Sequence, residues 1–262
     1  SRRNFYNFFG FGNNTEGYKD AKKNYNRVHI RQFKLSPSFH LDFSEKKRLV
    51  VQASWEMFKA KETNDRFINQ FYPEDHRIFK TNLFIDLGLS FHTEKEICSF
   101  IPKLGGTLTG GWKMNLKDAS RNFPYAEASV ELDVKITDRL TWATMAKTQQ
   151  LFNNKYEFYQ AASTELRGYR DNRFIGKQSF YQYSDIRLDM GKLKNPFTPL
   201  KYGVFAGFDY GRVWFPGEQS KRWHTSYGGG IWLTLINKIT TKYSCFGSTD
   251  SFRFMFELGL GF

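Results

Sequence analysis

Long apolar runs and cysteine are both scarce in this sequence of 262 residues. No stretch approaches the roughly 18 consecutive apolar residues that a membrane-spanning helix needs. The two cysteines, Cys98 and Cys245, cannot build a disulfide framework, and we expect them to lie too far apart to bridge. The chain also lacks an initiator methionine and a signal peptide, which indicates that Ser1 is not the natural start of the protein.

Motifs for catalysis and for metal binding are missing as well. The sequence has no HxxxH or CxxC spacing and no GxSxG motif, and its five histidines are scattered over different predicted strands and loops. His224 and Ser226 share one face of a predicted strand, where such a pair more often forms an interior hydrogen bond than a catalytic site. We therefore expect no metal, no cofactor and no enzymatic activity in this segment, while an enzymatic domain upstream of it stays open.

A formal net charge of +13 is the first feature that the sequence does have. Nucleic acid is the obvious partner of so basic a protein, but lysine and arginine form no stripe at helical spacing, and no nucleic-acid module is present. The basic residues lie mostly at turns and at alternate positions of strands. This distribution favours anionic lipid headgroups over nucleic acid as the partner of the charge.

Alternation of apolar and polar residues is the second feature. "YAEASVELDVKI" places alanine, valine, leucine and isoleucine at every even position from 126 to 136, and polar residues at the odd positions between them. Such runs are about as long as a tilted strand that crosses a bilayer core, whereas ordinary strands average five or six residues. A watery barrel interior tolerates charges in mid-strand, but a packed sandwich interior does not. The pattern therefore favours a transmembrane β-barrel, with a soluble all-β protein as the alternative.

About twelve strands are predicted, joined alternately by short turns such as "TDR" and by long loops such as residues 149–176. They are placed at 2–9, 25–43, 47–60, 79–93, 98–114, 122–136, 138–148, 177–190, 200–214, 222–236, 238–247 and 251–262. Pro37 lies inside the longest of them, which we expect to be bulged or broken there. Short turns at one end and long loops at the other are typical of an outer-membrane barrel. The predicted fold class is therefore an all-β, antiparallel transmembrane barrel.

The segment "STELRGYRDNRFIGKQ", residues 163–178, interrupts this alternation with arginines, glycines and aromatic residues. Five predicted strands follow it. Together with the residues just before it, the segment closely resembles the signature loop of the outer-membrane assembly superfamily. That superfamily includes BamA-type and TamA-type assembly factors, two-partner secretion transporters and barrels fused to enzymes. The matching motif is Arg167-Gly168-Tyr169, and an alanine pair in place of the family's usual glycine pair indicates a divergent branch.

Two strand motifs extend the resemblance. The family carries an acid followed two residues later by arginine on one strand and an Asp-x-Gly on the next, which Asp185 and Arg187, and Asp209 and Gly211, match. The resemblance implies a sixteen-stranded barrel in which the loop folds into the lumen and its arginine reaches these acids. The alternation independently points both carboxylates inward, where one guanidinium can bridge them. Gly168 would permit the close backbone approach that this contact needs.

The last predicted strand, "SFRFMFELGLGF", alternates aromatic residues with mixed ones up to the end of the chain. Its residues of interest are Phe252, Phe254, Phe256, Gly259, Gly261 and Phe262. An aromatic strand that ends in phenylalanine resembles the β-signal of bacterial outer-membrane proteins. We expect this strand to form one lip of a lateral gate, where the two glycines weaken its pairing.

The resemblance implies that residues 1–262 are the C-terminal part of a bacterial outer-membrane barrel, strands five to sixteen, with earlier strands and any periplasmic domain upstream. It implies an assembly factor of the BamA type, whose barrel opens laterally to fold client proteins into the membrane. The expected partners are outer-membrane lipid, client outer-membrane proteins and periplasmic or lipoprotein accessory subunits. Two alternatives stay open: an anchor or export barrel fused to an upstream enzyme such as a phosphoesterase or patatin-like lipase, and a plain twelve-stranded pore.

Overall fold

The computed structural model describes residues 5–15, 24–63, 65–72, 76–96, 103–193, 200–235 and 239–260. Nearly all regular structure in these residues is β-strand. The strands are β1 (Phe5–Asn7), β2 (Arg27–Leu35), β3 (Ser38–Ser44), β4 (Lys47–Ala60), β5 (Asn82–Glu96), β6 (Lys103–Asn115), β7 (Phe123–Lys135), β8 (Leu140–Leu151), β9 (Ala162–Ser163), β10 (Ile175–Gly176), β11 (Gln178–Leu193), β12 (Leu200–Trp214), β13 (His224–Leu235), β14 (Ile239–Gly247) and β15 (Phe252–Leu260). The predicted all-β class is confirmed, and each predicted strand has a counterpart in the structure.

One antiparallel sheet contains every strand except β9 and β10. Its order is β1-β2-β4-β5-β6-β7-β8-β11-β12-β13-β14-β15, with β3 paired to β4, so neighbours along the chain are neighbours in the sheet. Strands β4, β5, β11 and β12 have 14 to 16 residues, a length that suits a tilted crossing of a bilayer. The ends of the path are β1 and β15, and within the described residues these two strands do not pair with each other.

Pro37 divides one long strand into β2 and β3. Leu35 at the end of β2 and Ser38 at the start of β3 both lie opposite residues of β4, so the two strands share one place in the sheet. Proline has no backbone N–H to donate to a ladder. Its carbonyl still accepts a hydrogen bond of 3.2 Å from the backbone N–H of Ala53. The break that the proline predicted is therefore present.

The long loops lie at one end of the sheet and the short turns at the other. Residues 8–26, 61–81 and 152–177 connect strands at the long-loop end, and residues 136–139 form one of the short turns. A five-residue helix, α1 (Phe67–Phe71), lies within one of these long loops, and the sequence pattern did not predict it. No helix in the described part of the chain is long and apolar enough to cross a membrane.

Each long strand has an inward face, which meets the loops, and an outward face. On β12, Val204 and Phe208 are exposed, whereas the residue that follows each of them, Phe205 and Asp209, is buried. Exposed apolar residues on the outward face of the sheet include Leu87, Leu89, Phe91, Leu108, Val130, Ile186, Leu188, Ile231, Tyr243, Phe254 and Phe256. An exposed apolar surface that continues from strand to strand is typical of a wall that faces lipid.

The buried core lies on the inward face at the long-loop end. It joins side chains from loops and from the sheet: Phe8, Val28, Phe58, Ala60, Ile68, Ile78, Phe84, Phe158 and Ile175. The ring of Tyr159 stacks on that of Phe58 with centroids 3.5 Å apart. Aromatic contacts thus pack the three long loops against the sheet. They fix the position of the residues next to the arginine-rich segment.

Candidate functional site

The arginine-rich loop folds back onto the inward face of the sheet. Strands β9 and β10 pair with each other, with Ile175 opposite Ser163, and bring the two ends of the loop together. The residues between them turn apolar side chains toward β11 and β12. This buried cluster consists of Leu166, Tyr169, Phe174, Tyr181 and Val213. Burial of these side chains holds the loop in place and sets the position of Arg167 between them.

Arg167 binds Asp209 of β12 through both its backbone and its side chain. The backbone N–H donates to Oδ2 at 3.0 Å, and Nε donates to Oδ1 at 2.9 Å and to Oδ2 at 3.1 Å. The Nη2 group also donates to Oδ1. Asp209 is 0% exposed, so these charge-assisted hydrogen bonds are what compensates the cost of its buried charge.

A second carboxylate, that of Asp185 on β11, lies on the other side of the same guanidinium. Nη1 of Arg167 is 2.8 Å from Oδ1 of Asp185. Arg187 approaches the same group, with Nη2 3.7 Å from Oδ2. Burial lowers the pKa of Arg167, but its hydrogen bonds and the charges of Asp209 and Asp185 raise that pKa above its ordinary value. The structure thus brings all four charged residues named from the sequence into one cluster.

Two aromatic rings and a glycine complete the surroundings of Arg167. The centre of its guanidinium is 4.0 Å from the centroid of the Phe246 ring and 5.1 Å from that of Tyr183. Gly207 faces the same space. A Cβ at Gly207 would come within 2.5 Å of Asp185 Oδ1 and 2.7 Å of Arg167 Nη2. The guanidinium therefore occupies the volume that a side chain at position 207 would fill.

Gly168 allows the loop to approach the sheet at backbone distance. Its N–H donates to Ser226 Oγ at 3.2 Å, and its carbonyl accepts a hydrogen bond of 2.8 Å from Ser248 Oγ. A Cβ at this position would lie 2.7 Å from the Ser226 Cβ and 2.8 Å from the carbonyl oxygen of Gly247. Any other residue would thus push the loop away from β13 and from the end of β14.

Tyr169 and Arg173 attach the loop to the hairpin that joins β14 to β15. The hydroxyl of Tyr169 is 3.0 Å from Thr249 Oγ1, and its backbone carbonyl accepts a hydrogen bond from the side chain of Arg253 on β15. Nε of Arg173 donates to Asp250 Oδ2 at 2.5 Å. Tyr169, the third residue of the motif, therefore contacts the β14–β15 hairpin and not the ionic cluster.

Gly211, which the motif predicts beside the ionic partners, has a steric role: it leaves room for Tyr181. It lies opposite Tyr181, and a Cβ there would come within 2.7 Å of the Cβ of that tyrosine. His224 stacks on the ring of Phe174 with centroids 3.5 Å apart. Ser226 instead donates a hydrogen bond of 2.7 Å to the Asp209 carboxylate. His224 and Ser226 therefore have separate partners and do not form a catalytic pair.

The last strand, β15, pairs with β14 throughout. Gly259 keeps its place in this ladder opposite Thr240, so the pairing continues through the glycine. Within the described residues no strand pairs with the other side of β15. Its exposed outward face consists of Phe252, Phe254, Phe256 and Leu258. Gly261 and Phe262, which belong to the predicted gate, lie outside the described residues.

Cys245 is a free, half-buried thiol on β14, and Cys98 lies outside the described residues, so the expectation that the two do not bridge stays a prediction. In the described part of the chain, no three His, Cys, Asp or Glu side chains are grouped so that they could hold a metal ion.

Sequence reasoning missed Gly207, Phe246 and Arg173. Gly207 had a local signal, since it lies two residues before Asp209 on the same inward face. Phe246 had none, because it comes from β14 and meets Arg167 only after three further strands have paired. Arg173 was visible in the loop, but its partner Asp250 belongs to a distant hairpin.

Two solved structures share this arrangement of strands. The crystal structure of BamA from Haemophilus ducreyi lacking POTRA domains 1–3 matches with a TM-score of 0.63, over 95% of this chain and 57% of that chain, at 12% identity. The chain has the fold of the BamA barrel. CdiB from Escherichia coli matches with a TM-score of 0.62, over 90% of this chain and 46% of that chain, at 13% identity. The chain thus spans about half the length of each.

At the level of sequence, no family model and no curated protein matches the chain. The likeness to BamA and CdiB is therefore one of fold.

Proposed function

We propose that this chain belongs to the barrel of an outer-membrane protein of the superfamily that contains BamA, and that it folds client β-barrel proteins into the bacterial outer membrane. The anchored loop carries the proposal. Its Arg-Gly-Tyr motif meets acids of β11 and β12 on the inward face of a sheet with the BamA fold. The exposed apolar residues on the outward face of the sheet support a location in a lipid bilayer. The described strands would then be the last ones of a larger barrel.

One side of β15 has no paired strand within the described residues, which supports an insertion mechanism based on backbone pairing. Unpaired N–H and C=O groups along a strand edge bind an extended segment of another chain. The aromatic outward face of β15 would keep such a segment next to lipid. Because these contacts are to the backbone, they accept clients of many sequences. Accessory periplasmic subunits or lipoproteins would deliver those clients.

The likeness to CdiB, which is as strong as that to BamA, supports a second candidate. An anchor or export barrel of the same superfamily would carry or release an attached polypeptide instead of inserting clients. In that case the loop would be a plug that leaves the interior during export. An upstream enzyme domain would supply any catalysis.

Reconstitution of the full-length protein in lipid vesicles separates the two candidates. An unfolded barrel client is added outside, and its insertion is followed by protease resistance and gel mobility. We expect the protein to accelerate insertion, Arg167→Ala to lose most of the acceleration, and Arg48→Ala, whose ion pair with Asp42 is about half exposed, to keep it. An unchanged insertion rate together with transport of polypeptide into the vesicles would contradict the assembly role and support export.

A further inference from the structure

An arginine lies on the outward, otherwise apolar face of β12, close to the long-loop end. Arg212 is an even number of residues from the exposed Val204 and Phe208, so it lies on the same face of the strand. Phe180 of β11 lies opposite it. The centre of its guanidinium is 4.7 Å from the Trp214 ring centroid and 5.6 Å from that of Trp223. Its cation therefore contacts two indole rings, whose centroids are 6.3 Å apart, and indoles are side chains that prefer the boundary between lipid and water.

Arg212 has no carboxylate partner in the described part of the chain. Its Nη2 donates to the carbonyl of Ser220 at 2.7 Å, while its buried Nε has no hydrogen-bond acceptor among the described residues. The acid in the following loop, Glu218, accepts hydrogen bonds from Asn13 and Asn14 instead. A partly buried cation without a counter-charge is costly, so an anion from outside the chain is the expected partner.

The surface next to Arg212 is basic and polar. Lys221 follows Ser220, whose carbonyl binds Arg212, in the exposed loop between β12 and β13, and it adds a charge of the same sign. Tyr210 donates a hydrogen bond of 2.7 Å to Gln182 Oε1 on the neighbouring strand. Nε2 of Gln182 donates in turn to Ser184 Oγ at 3.2 Å. The outward face below Arg212 thus carries the polar groups of Tyr210, Gln182 and Ser184.

The geometry points to a binding site for the phosphate-bearing headgroup of a membrane lipid, formed by Arg212 with Lys221, with the Gln182 and Ser184 side chains against the rest of the headgroup. Guanidinium groups bind phosphate with short, charge-assisted hydrogen bonds, and Arg212 has five N–H donors, of which one on Nη2 binds Ser220. The site lies on the outward face of the sheet, opposite the inward face that the long loops cover. This inference rests on the membrane setting proposed above.

The test measures lipid affinity of the full-length protein by native mass spectrometry, with phosphatidylglycerol and phosphatidylcholine as probes. We expect tighter binding of phosphatidylglycerol, and a loss of about fivefold in Arg212→Gln, the effect of one basic residue at an anionic surface. The loop variant Lys221→Gln, which leaves the sheet untouched, should also weaken binding. Arg48→Gln, which removes a cation that already has a carboxylate partner, should not.

Three results would overturn the inference: equal affinity of Arg212→Gln and the unchanged protein, equal affinity for the two lipids, or displacement of the lipid by millimolar inorganic phosphate. The last would identify a site for the free ion. Insertion of the protein into vesicles is scored separately by protease protection. A protein that inserts but shows no lipid preference refutes this site alone, whereas a protein that does not insert refutes the membrane setting itself.

Discussion

Arg167 and Arg212 show how the same strands treat a cation on their two faces. Each guanidinium lies near two aromatic rings, and each is at least partly buried. On the inward face, Arg167 has the carboxylates of Asp209 and Asp185 at 2.9 and 2.8 Å. On the outward face, Arg212 has one backbone carbonyl at 2.7 Å. Among the described residues, the fold therefore supplies a counter-charge to the inward arginine and none to the outward one.

This difference in partners predicts different roles for Arg167 and Arg212. A cation whose partners belong to the chain fixes the chain, because breaking the pair leaves buried charges without compensation. A cation whose partner comes from outside contributes to binding more than to folding. The inward arginine should therefore matter for stability, and the outward one for lipid affinity.

Removal of the two arginine side chains should separate these roles most strongly. Arg167→Ala leaves the buried Asp209 without a counter-charge among the described residues and leaves Asp185 with Arg187 at 3.7 Å, so we expect a loss of about 3–5 kcal/mol in the free energy of unfolding. Arg212→Ala should lose about 1 kcal/mol or less, the size of a partly exposed cation–π contact. Denaturant unfolding in phosphatidylcholine vesicles measures both, and equal losses would show that the two faces do not differ in this way.

A smaller effect is expected from a methyl group added next to Arg167. Gly207→Ala should lose about 1–3 kcal/mol, because its Cβ meets the Asp185 carboxylate, the guanidinium and the Phe246 ring within 2.9 Å. Gly110→Ala on β6 is the matched control, since a Cβ there has no atom within 4 Å and should change stability by less than about 0.5 kcal/mol. If both variants unfold at the same denaturant concentration, the guanidinium does not occupy the space at position 207.

Two serines, one on each face of the sheet, should show the smallest difference in stability. Ser226, 0% exposed, bonds both the Asp209 carboxylate and the backbone N–H of Gly168, so Ser226→Ala should lose about 1–2 kcal/mol. Ser184 on the outward face is half-buried, and Ser184→Ala should lose less than that. Thermal unfolding monitored by gel mobility ranks the two variants, and a larger loss for Ser184→Ala would reverse the expected order of the faces.

The sequence predicts the sheet well because each strand carries its own signal. The alternation along β7, β11 and β12 is local, and it places Asp185, Arg187 and Asp209 on the inward face before any contact is known. The break at Pro37 is predicted for the same reason, since the missing N–H is a property of the residue itself. The motif around Arg167 indicates where the loop would find its partners.

The remaining parts of the site depend on contacts between distant segments. Phe246 reaches Arg167 only through the pairing of β12, β13 and β14, and nothing near it in the sequence marks that contact. Gly211 was grouped with the charged residues because it belongs to a motif, but its place opposite Tyr181 gives it a steric role. Arg212 carries no local signal, because the contacts that distinguish it come from Trp223 and Ser220 in the loop after β12.

A double-mutant cycle between Arg167 and Asp209 tests the central claim most directly. The free energy of unfolding is measured for the unchanged protein, Arg167→Ala, Asp209→Asn and the double variant, in the same lipid vesicles. If the loop is anchored by this pair, the two changes are non-additive, with a coupling energy of about 2–3 kcal/mol. Additivity within about 0.5 kcal/mol would show that the two residues act independently and would contradict the anchored loop.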